Sequence, residues 1–336
     1  MSQTTLKDIA QKLNISPSTV SRALHNHPKV TQETKKKVRE MAKALNYHPD
    51  EVARNLKKKK SNIIGVIVPQ VKHYFFASIM SGITDVAYNA GYTVMIFQSN
   101  EDYKREVINT QAVISQRAAG LLVSISGPTD NHDHFQLLID RGIPLVFFDR
   151  VCEDLKASKV IVDDFDGAFK AVSHLLDKGY RRIGHLAGPQ NLSIGKKRME
   201  GYQAALQKYG IPFNEKLVVV GGPNEEHGTA SMRQLYDQCD EKPDAIFAVT
   251  DPVALGAFME IKERNLKIPG DIALVGFSDS PISSLIDPPL TTIRQPAYEI
   301  GESATQLLLQ QIQHKQSVYA PKVIVLETEL IIRKST

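Results

Sequence analysis

Residues 14–28 read NISPSTVSRALHNHP, a short helical pattern that is unusually polar and carries a proline near its start. Ser16 can cap this helix by accepting an orphan N–H, and Pro17 can occupy the first turn, where a missing N–H costs nothing. Val20, Ala23 and Leu24 supply an inner face, with Ile15 in the preceding turn, so Ser18, Thr19, Ser21 and Arg22 are left facing outward. Upstream, Leu6, Ile9, Ala10 and Leu13 fall at i, i+3, i+4 and i+7, and Thr5 and Asp8 have capping-box spacing. Downstream, Thr31 heads a third pattern with Val38, Met41, Ala42 and Leu45 on one stripe. Two helices joined by a tight turn and closed by a third form the helix-turn-helix arrangement, whose second helix enters the DNA major groove N-terminus first. There, short hydroxyls reach phosphates or base edges, and the fork of Arg22 fits guanine O6 and N7.

Charge distribution points the same way. The first 60 residues hold 14 Lys or Arg against 5 Asp or Glu, whereas the remaining 276 are net acidic, 27 against 32. Clustered cations suit a polyanion, and the alternative at this level is a solvated basic surface. At 336 residues, 42% hydrophobic and 23% charged, the chain is expected to form two or three globular units. No apolar run of membrane-spanning length and no signal-peptide block is present, so a cytoplasmic location, nucleoid-associated when bound to DNA, is expected. Cys152 and Cys239 lack the spacing of a disulfide framework or a zinc site.

Residues 5–56, TLKDIAQKLNISPSTVSRALHNHPKVTQETKKKVREMAKALNYHPDEVARNL, resemble the DNA-binding head of the lactose-repressor (LacI/GalR) family of bacterial transcription regulators. The resemblance implies that Pro17 and Ser18 choose the operator while Thr19, Ser21 and Arg22 belong to the shared contact set. Thr5, Ser16, His25, Asn26 and Tyr47 are carried over as further DNA-contacting positions. The segment HPDEVARNLKKKKSN begins with a proline and two acids and ends in four lysines, which suits a helix dipole, yet it is too short to be stably helical alone. By position it is similar to the family's hinge helix, with Leu56 as a minor-groove wedge flanked by Ala53 and Arg54. The alternative reading of this segment is a flexible basic linker.

From residue 62 the texture becomes apolar runs alternating with amphipathic segments, among them IIGVIV (63–68), GLLVSI (120–125), DAIFAVT (244–250) and IALVGFS (272–278). Continuous Val/Ile/Leu runs between helices indicate parallel sheets covered on both faces. The expected fold class is therefore an all-α head joined to an α/β core of two doubly wound parallel-sheet lobes. The boundaries are 1–47 for the head, 48–61 for the hinge or linker, 62–162 with 292–326 for the N-terminal lobe, and 163–291 for the C-terminal lobe. Both strands in KVIVLETELIIR are expected to return to the first sheet, and the lobe of the 327–336 tail stays open. The motifs DGAFKAVSHLLDKGYRRIGHLAG, RMEGYQAAL and PLTTIRQP resemble the family's periplasmic-binding-protein-like core, so the resemblance spans essentially the whole chain.

A ligand is expected between the lobes, where loops converge at the C-terminal ends of the strands. The resemblance places Phe75 and Phe76 against the effector, Arg198 as its anchor, and Asp251 either on the ligand or capping a helix. Asp149, Asn224, Ser278 and Asp279 complete the effector set. Ser278 stands where many relatives carry an acid, and the aromatic often present in GGPNEEHG is absent. An Arg198 less neutralised by these departures suggests an acidic effector, within a wider class of sugar, sugar acid, phosphosugar or nucleoside-like molecules. No cofactor, metal or catalytic residue is assigned: HExxH, GxSxG, Walker-type and GxGxxG signatures are missing, His132 to His134 read as a polar loop, and His185 as a core histidine. A ligand-regulated repressor or activator, a repressor by preference, serving carbohydrate metabolism and binding a pseudo-palindromic operator as a homodimer, accounts for head, hinge and body together. A solute-binding transport protein or a sugar-modifying enzyme would account for the body alone.

Overall fold

The computed structural model describes residues 4–47, 61–313 and 320–336. The expected hinge positions Ala53, Arg54 and Leu56 lie outside them. The chain divides into two compact units, residues 1–59 and 60–336.

The first unit holds α1 (Leu6–Leu13), α2 (Pro17–Leu24) and α3 (Gln32–Ala44). Asn14, in the left-handed region at φ 51°, closes α1 and begins the turn, a conformation its short amide tolerates. Ile9, Val20, Ala23 and Val38 are fully buried, and Leu6, Leu13, Ile15, Leu24 and Met41 pack around them. Each helix start is built locally. Ser16 accepts from the Thr19 amide and Thr31 from the Thr34 amide, while the Thr5 amide and hydroxyl both donate to Asp8. Those two donors hold the Asp8 carboxyl below the usual range.

The second unit contains two six-stranded sheets. The first has the order β11 (Val323–Leu326), β5 (Ser158–Val162), β4 (Leu145–Phe148), β3 (Gly120–Val123), β1 (Ile63–Val68), β2 (Thr93–Gln98), parallel throughout. Side chains alternate between its faces: Ile64, Val66 and Val68 meet α4 (Tyr74–Asn89) and α12 (Ala297–Gln313), while Ile67 meets α5 (Tyr103–Ser115) and α6 (Asp133–Asp140). The second sheet runs β12 (Glu329–Ile331), β10 (Thr291–Arg294), β9 (Ala273–Ser278), β8 (Ala245–Ala248), β6 (Ile183–Ala187), β7 (Val218–Val220). Helices α7 (Asp164–Asp177) and α8 (Ser193–Lys208) cover one face, and α9 (Glu225–Gln238) and α10 (Asp251–Glu263) the other. A short helix, α11 (Ile282–Leu285), follows β9.

Three boundaries differ from expectation. Residues 292–294 belong to the second sheet, where β10 pairs with β9 and Ile293 completes that lobe's core, so the return crossing falls at Gln295 and Pro296. Only β11 returns to the first sheet; β12 crosses back and pairs antiparallel with β10, and Ser335 then bonds to Leu274 and Thr291, which fixes the tail to the second lobe. Ser61, assigned to the linker, is buried and donates twice to the Arg117 carbonyl, so it starts the core. The lobes are therefore joined by three crossings, near 163, 295 and 327.

His134 also departs from the solvated-loop reading. It is buried, and Nε2 bonds to Glu106 at 3.0 Å. His185 is fully buried between the Tyr202 and Phe247 rings and donates from Nδ1 to the Phe247 carbonyl; burial pushes its pKa down to about 4, so it is neutral and structural.

Helices α4 and α12 meet through glycine. A Cβ on Gly82 would fall well inside contact of the Tyr298 carbonyl oxygen, and one on Gly301 inside that of Ile79. Backbone obstructs both positions, so the helices must separate to admit a methyl group. Gly301→Ala is expected to lower stability by about 1–3 kcal/mol, read as a lower urea midpoint. An unchanged midpoint would show that the pair separates freely.

Candidate functional site

On the first unit, α2 presents a polar face. Ser16, Pro17, Ser18 and Arg22 are exposed, Thr19 and Ser21 half-exposed. The hydroxyls of Ser18 and Thr19 each lie 2.8 Å from that of Ser16, which gathers three hydroxyls at one helix N-terminus. Arg22 forms no salt bridge with any described residue. Two other expected positions are partly committed: His25 Nδ1 donates to the Ser21 carbonyl at 2.7 Å, and the Asn26 side-chain oxygen accepts from Arg39. Tyr47 packs on the apolar core, and Thr5 sits at the start of α1.

In the second unit, a cleft between the lobes encloses about 540 Å³ of solvent-connected space. Of the expected effector residues it brings together Phe75, Phe76, Asp149, Arg198 and Ser278. Phe76 is buried in the first lobe's core, and the half-buried Phe75 meets it edge-on at 5.4 Å. Asp149 follows β4 in the left-handed region, φ 58°, and accepts from the Ser124 hydroxyl at 3.1 Å. Burial pushes its carboxyl up to about 6, against the pull of the adjacent Arg150.

Arg198, on α8, is 1% exposed. Its Nε and Nη2 donate to Asp164 Oδ1 at 2.8 and 2.7 Å, Nη1 donates to the Val249 carbonyl, and the guanidinium lies 3.6 Å over the centre of the Phe277 ring. Asp164 therefore neutralises it, which removes the premise for an acidic effector. Two of the five guanidinium N–H groups remain available.

Three expected effector residues do not line the cleft. Asp251 accepts from the Ser280 amide, the Ser283 hydroxyl and the Thr292 hydroxyl at 2.6–2.7 Å and ties together the elements after β9; Thr250, not Asp251, caps α10. Burial raises its pKa while those donors lower it. Asn224 caps α9 by accepting from the His227 amide. Asp279 is held between Arg294 and Arg333 at 2.9 and 2.6 Å, and it turns toward a neighbouring groove beside Pro296 and Tyr298.

The sequence reading did not single out His73, Glu101, Arg150, Thr250 and Gln295, which also line the cleft. Arg150 Nη1 donates to both oxygens of Glu101, at 2.8 and 2.9 Å. Yet Arg150 Nε and Gln295 Oε1 are buried without a hydrogen-bond partner among the described residues. Their signals were positional: Arg150 directly follows Asp149 at a strand end, and Gln295 is the residue at which the chain recrosses. Among the described residues no group of His, Cys, Asp and Glu is placed to hold a metal ion, and no helix is long and apolar enough to cross a membrane.

A helix-turn-helix head with an exposed hydroxyl-and-arginine face, and a two-lobed periplasmic-binding-protein-like core with a polar cleft, define a ligand-responsive DNA-binding regulator. Residues 5–50 match the model of the bacterial regulatory proteins of the lacI family, and residues 172–336 that of the periplasmic binding protein-like domain. The HTH-type transcriptional repressor CytR of Escherichia coli (strain K12) is 36% identical over 333 residues, covering 99% of this chain and 96% of that one. The ribose operon repressor of Haemophilus influenzae is 32% identical over 331 residues, covering 98% of each. The lac repressor dimer bound to operator and the anti-inducer ONPF superposes with a TM-score of 0.87 at 28% identity, covering 99% of both chains. The chain belongs to the lacI family: it is an effector-regulated transcriptional repressor, not an enzyme.

The Asp149 carboxyl gives a pH signature. Its folded pKa, about 6, lies above its ordinary value of 3.8, so the folded state holds the proton more tightly. Its contribution to stability is complete below about pH 4 and is lost as pH rises through about 6. Asp149→Asn cannot ionise and is expected to gain on the wild type by on the order of 1–3 kcal/mol between about pH 4 and pH 7.5. Urea unfolding of both proteins across that range checks it, and parallel pH dependence would contradict a buried, proton-holding Asp149.

Proposed function

We propose that this repressor binds a pseudo-palindromic operator as a homodimer and that its effector is a neutral polyhydroxylated molecule, a pentose-type sugar or the ribose unit of a nucleoside. The observation that carries the effector class is the charge balance of the cleft. Arg150 is paired with Glu101 and Arg198 with Asp164, so no guanidinium is in excess for a phosphate or carboxylate. An anion would instead face Glu101 and Asp149. The unpaired Arg150 Nε and Gln295 Oε1 ask for one acceptor and one donor, and a hydroxyl supplies both. Phe75 offers the apolar ring on which a sugar face stacks. The similarity to a ribose operon repressor supports the same class.

Calorimetry on the full chain with D-ribose, adenosine and ribose 5-phosphate tests this reading. One of the two neutral ligands is expected to bind at least about tenfold more tightly than the phosphate, a difference of roughly 1.4 kcal/mol. The opposite order would return the effector to the acidic class.

For the head, Ser18 and Arg22 are the proposed base-facing residues, with Pro17 and Ser18 setting operator preference. Two-fold operators call for two-fold proteins, and one three-helix head offers few base contacts. Arg22→Ala is expected to cost about 1–3 kcal/mol on the specific operator, measured by fluorescence anisotropy at fixed salt. A base-reading role is refuted by equal weakening on random DNA.

A further inference from the structure

The loop that leads into α8 belongs to the second lobe by sequence but is built into the first. Leu192 is 3% exposed and lies in the same apolar cluster as Val151, Cys152 and Phe147, all from the first lobe. Next to it, the Asn191 side-chain amide donates to the Gly127 carbonyl of the first lobe. Neither contact belongs to the three chain crossings; both are non-covalent links between the lobes, so a parting of the lobes at this loop must break them. Leu192 belongs to neither of the two apolar clusters that form the core of its own lobe.

The same loop is wired to the cleft. The Gly127 amide donates to Glu101 Oε2 at 2.7 Å, and Glu101 grips Arg150 in the cleft wall. On the other side, Ile194 lines the cleft two residues beyond Leu192. We propose that residues 190–194 form a clasp: Leu192 seats in the first lobe, Asn191 latches onto Gly127, and the clasp sets the fraction of molecules closed before effector arrives. Effector affinity then scales with that fraction, because a ligand gripped from both lobes binds the closed form. This rests on the cleft being the effector site.

Cys152 supplies a reporter that needs no effector. It is fully buried in the same cluster as Leu192, and with Asn191 and Ser193 it lines the groove where the loop meets the first lobe. In a Cys239→Ala background it is the sole cysteine of the chain. The rate of its labelling by a thiol reagent under native conditions is expected to rise about tenfold in Leu192→Ala and by a smaller factor in Asn191→Ala, whose exposed side chain can be removed without disturbing either core. D-ribose affinity, by calorimetry on the full chain, is expected to fall in the same order, by about tenfold and by a smaller factor. Unchanged labelling rates in both variants overturn the clasp, whatever ribose does. Faster labelling in both variants, with ribose failing to bind even the wild type, keeps the clasp and rejects the ribose reading instead.

Discussion

The buried pair of Arg198 and Asp164 organises the cleft. Asp164 opens α7 directly after the first crossing, Arg198 projects from α8, Val249 directly follows β8 and Phe277 lies in β9, so four elements of the second lobe bring groups to one guanidinium. A cation this deeply buried is tolerable only with a carboxylate and further acceptors around it, and loss of one partner would strand the other in a medium that solvates it poorly. The pair is therefore weak evidence for stability and strong evidence for placement. It fixes where the remaining N–H groups of Arg198 point, and it keeps the cleft electrically balanced. The Glu101 and Arg150 pair repeats the device in the first lobe, so each wall carries one charge already answered.

What was legible in the sequence was what short range decides. Ser16 and Thr31 cap their helices because a hydroxyl next to a helix start finds an amide three residues on, whatever the rest of the protein does. The buried strands were legible because a parallel sheet covered on both faces needs unbroken apolar runs. The sheet to which a four-residue strand belongs is a different question. TTIR and ELI carry no mark of their partner, and their assignment follows from long-range register.

The cleft was legible in outline and not in detail for the same reason. Phe75, Arg198 and Asp149 reached it, while Asp251, Asn224 and Asp279 stand near strand ends but spend their oxygens on neighbours. Whether a carboxylate faces ligand or protein depends on what else arrives within 3 Å, and for Asp251 that means Ser280, Ser283 and Thr292, up to 41 residues away in the chain. His134 follows the same logic, since its solvated appearance in GPTDNHDHF gave no sign that Glu106 lies beneath it.

The last crossing has a mechanical consequence. Three covalent connections anchored in the same two sheets constrain the placement of one lobe against the other more than two would. The third connection exists because β12 turns back and Ser335 locks the tail against Leu274 and Thr291. Any change in the angle between the lobes has to be taken up at all three crossings together, the one beside Gln295 in the cleft wall included. The final ten residues thus tie the far end of the chain to the second sheet and make the third crossing a fixed connection rather than a loose tail.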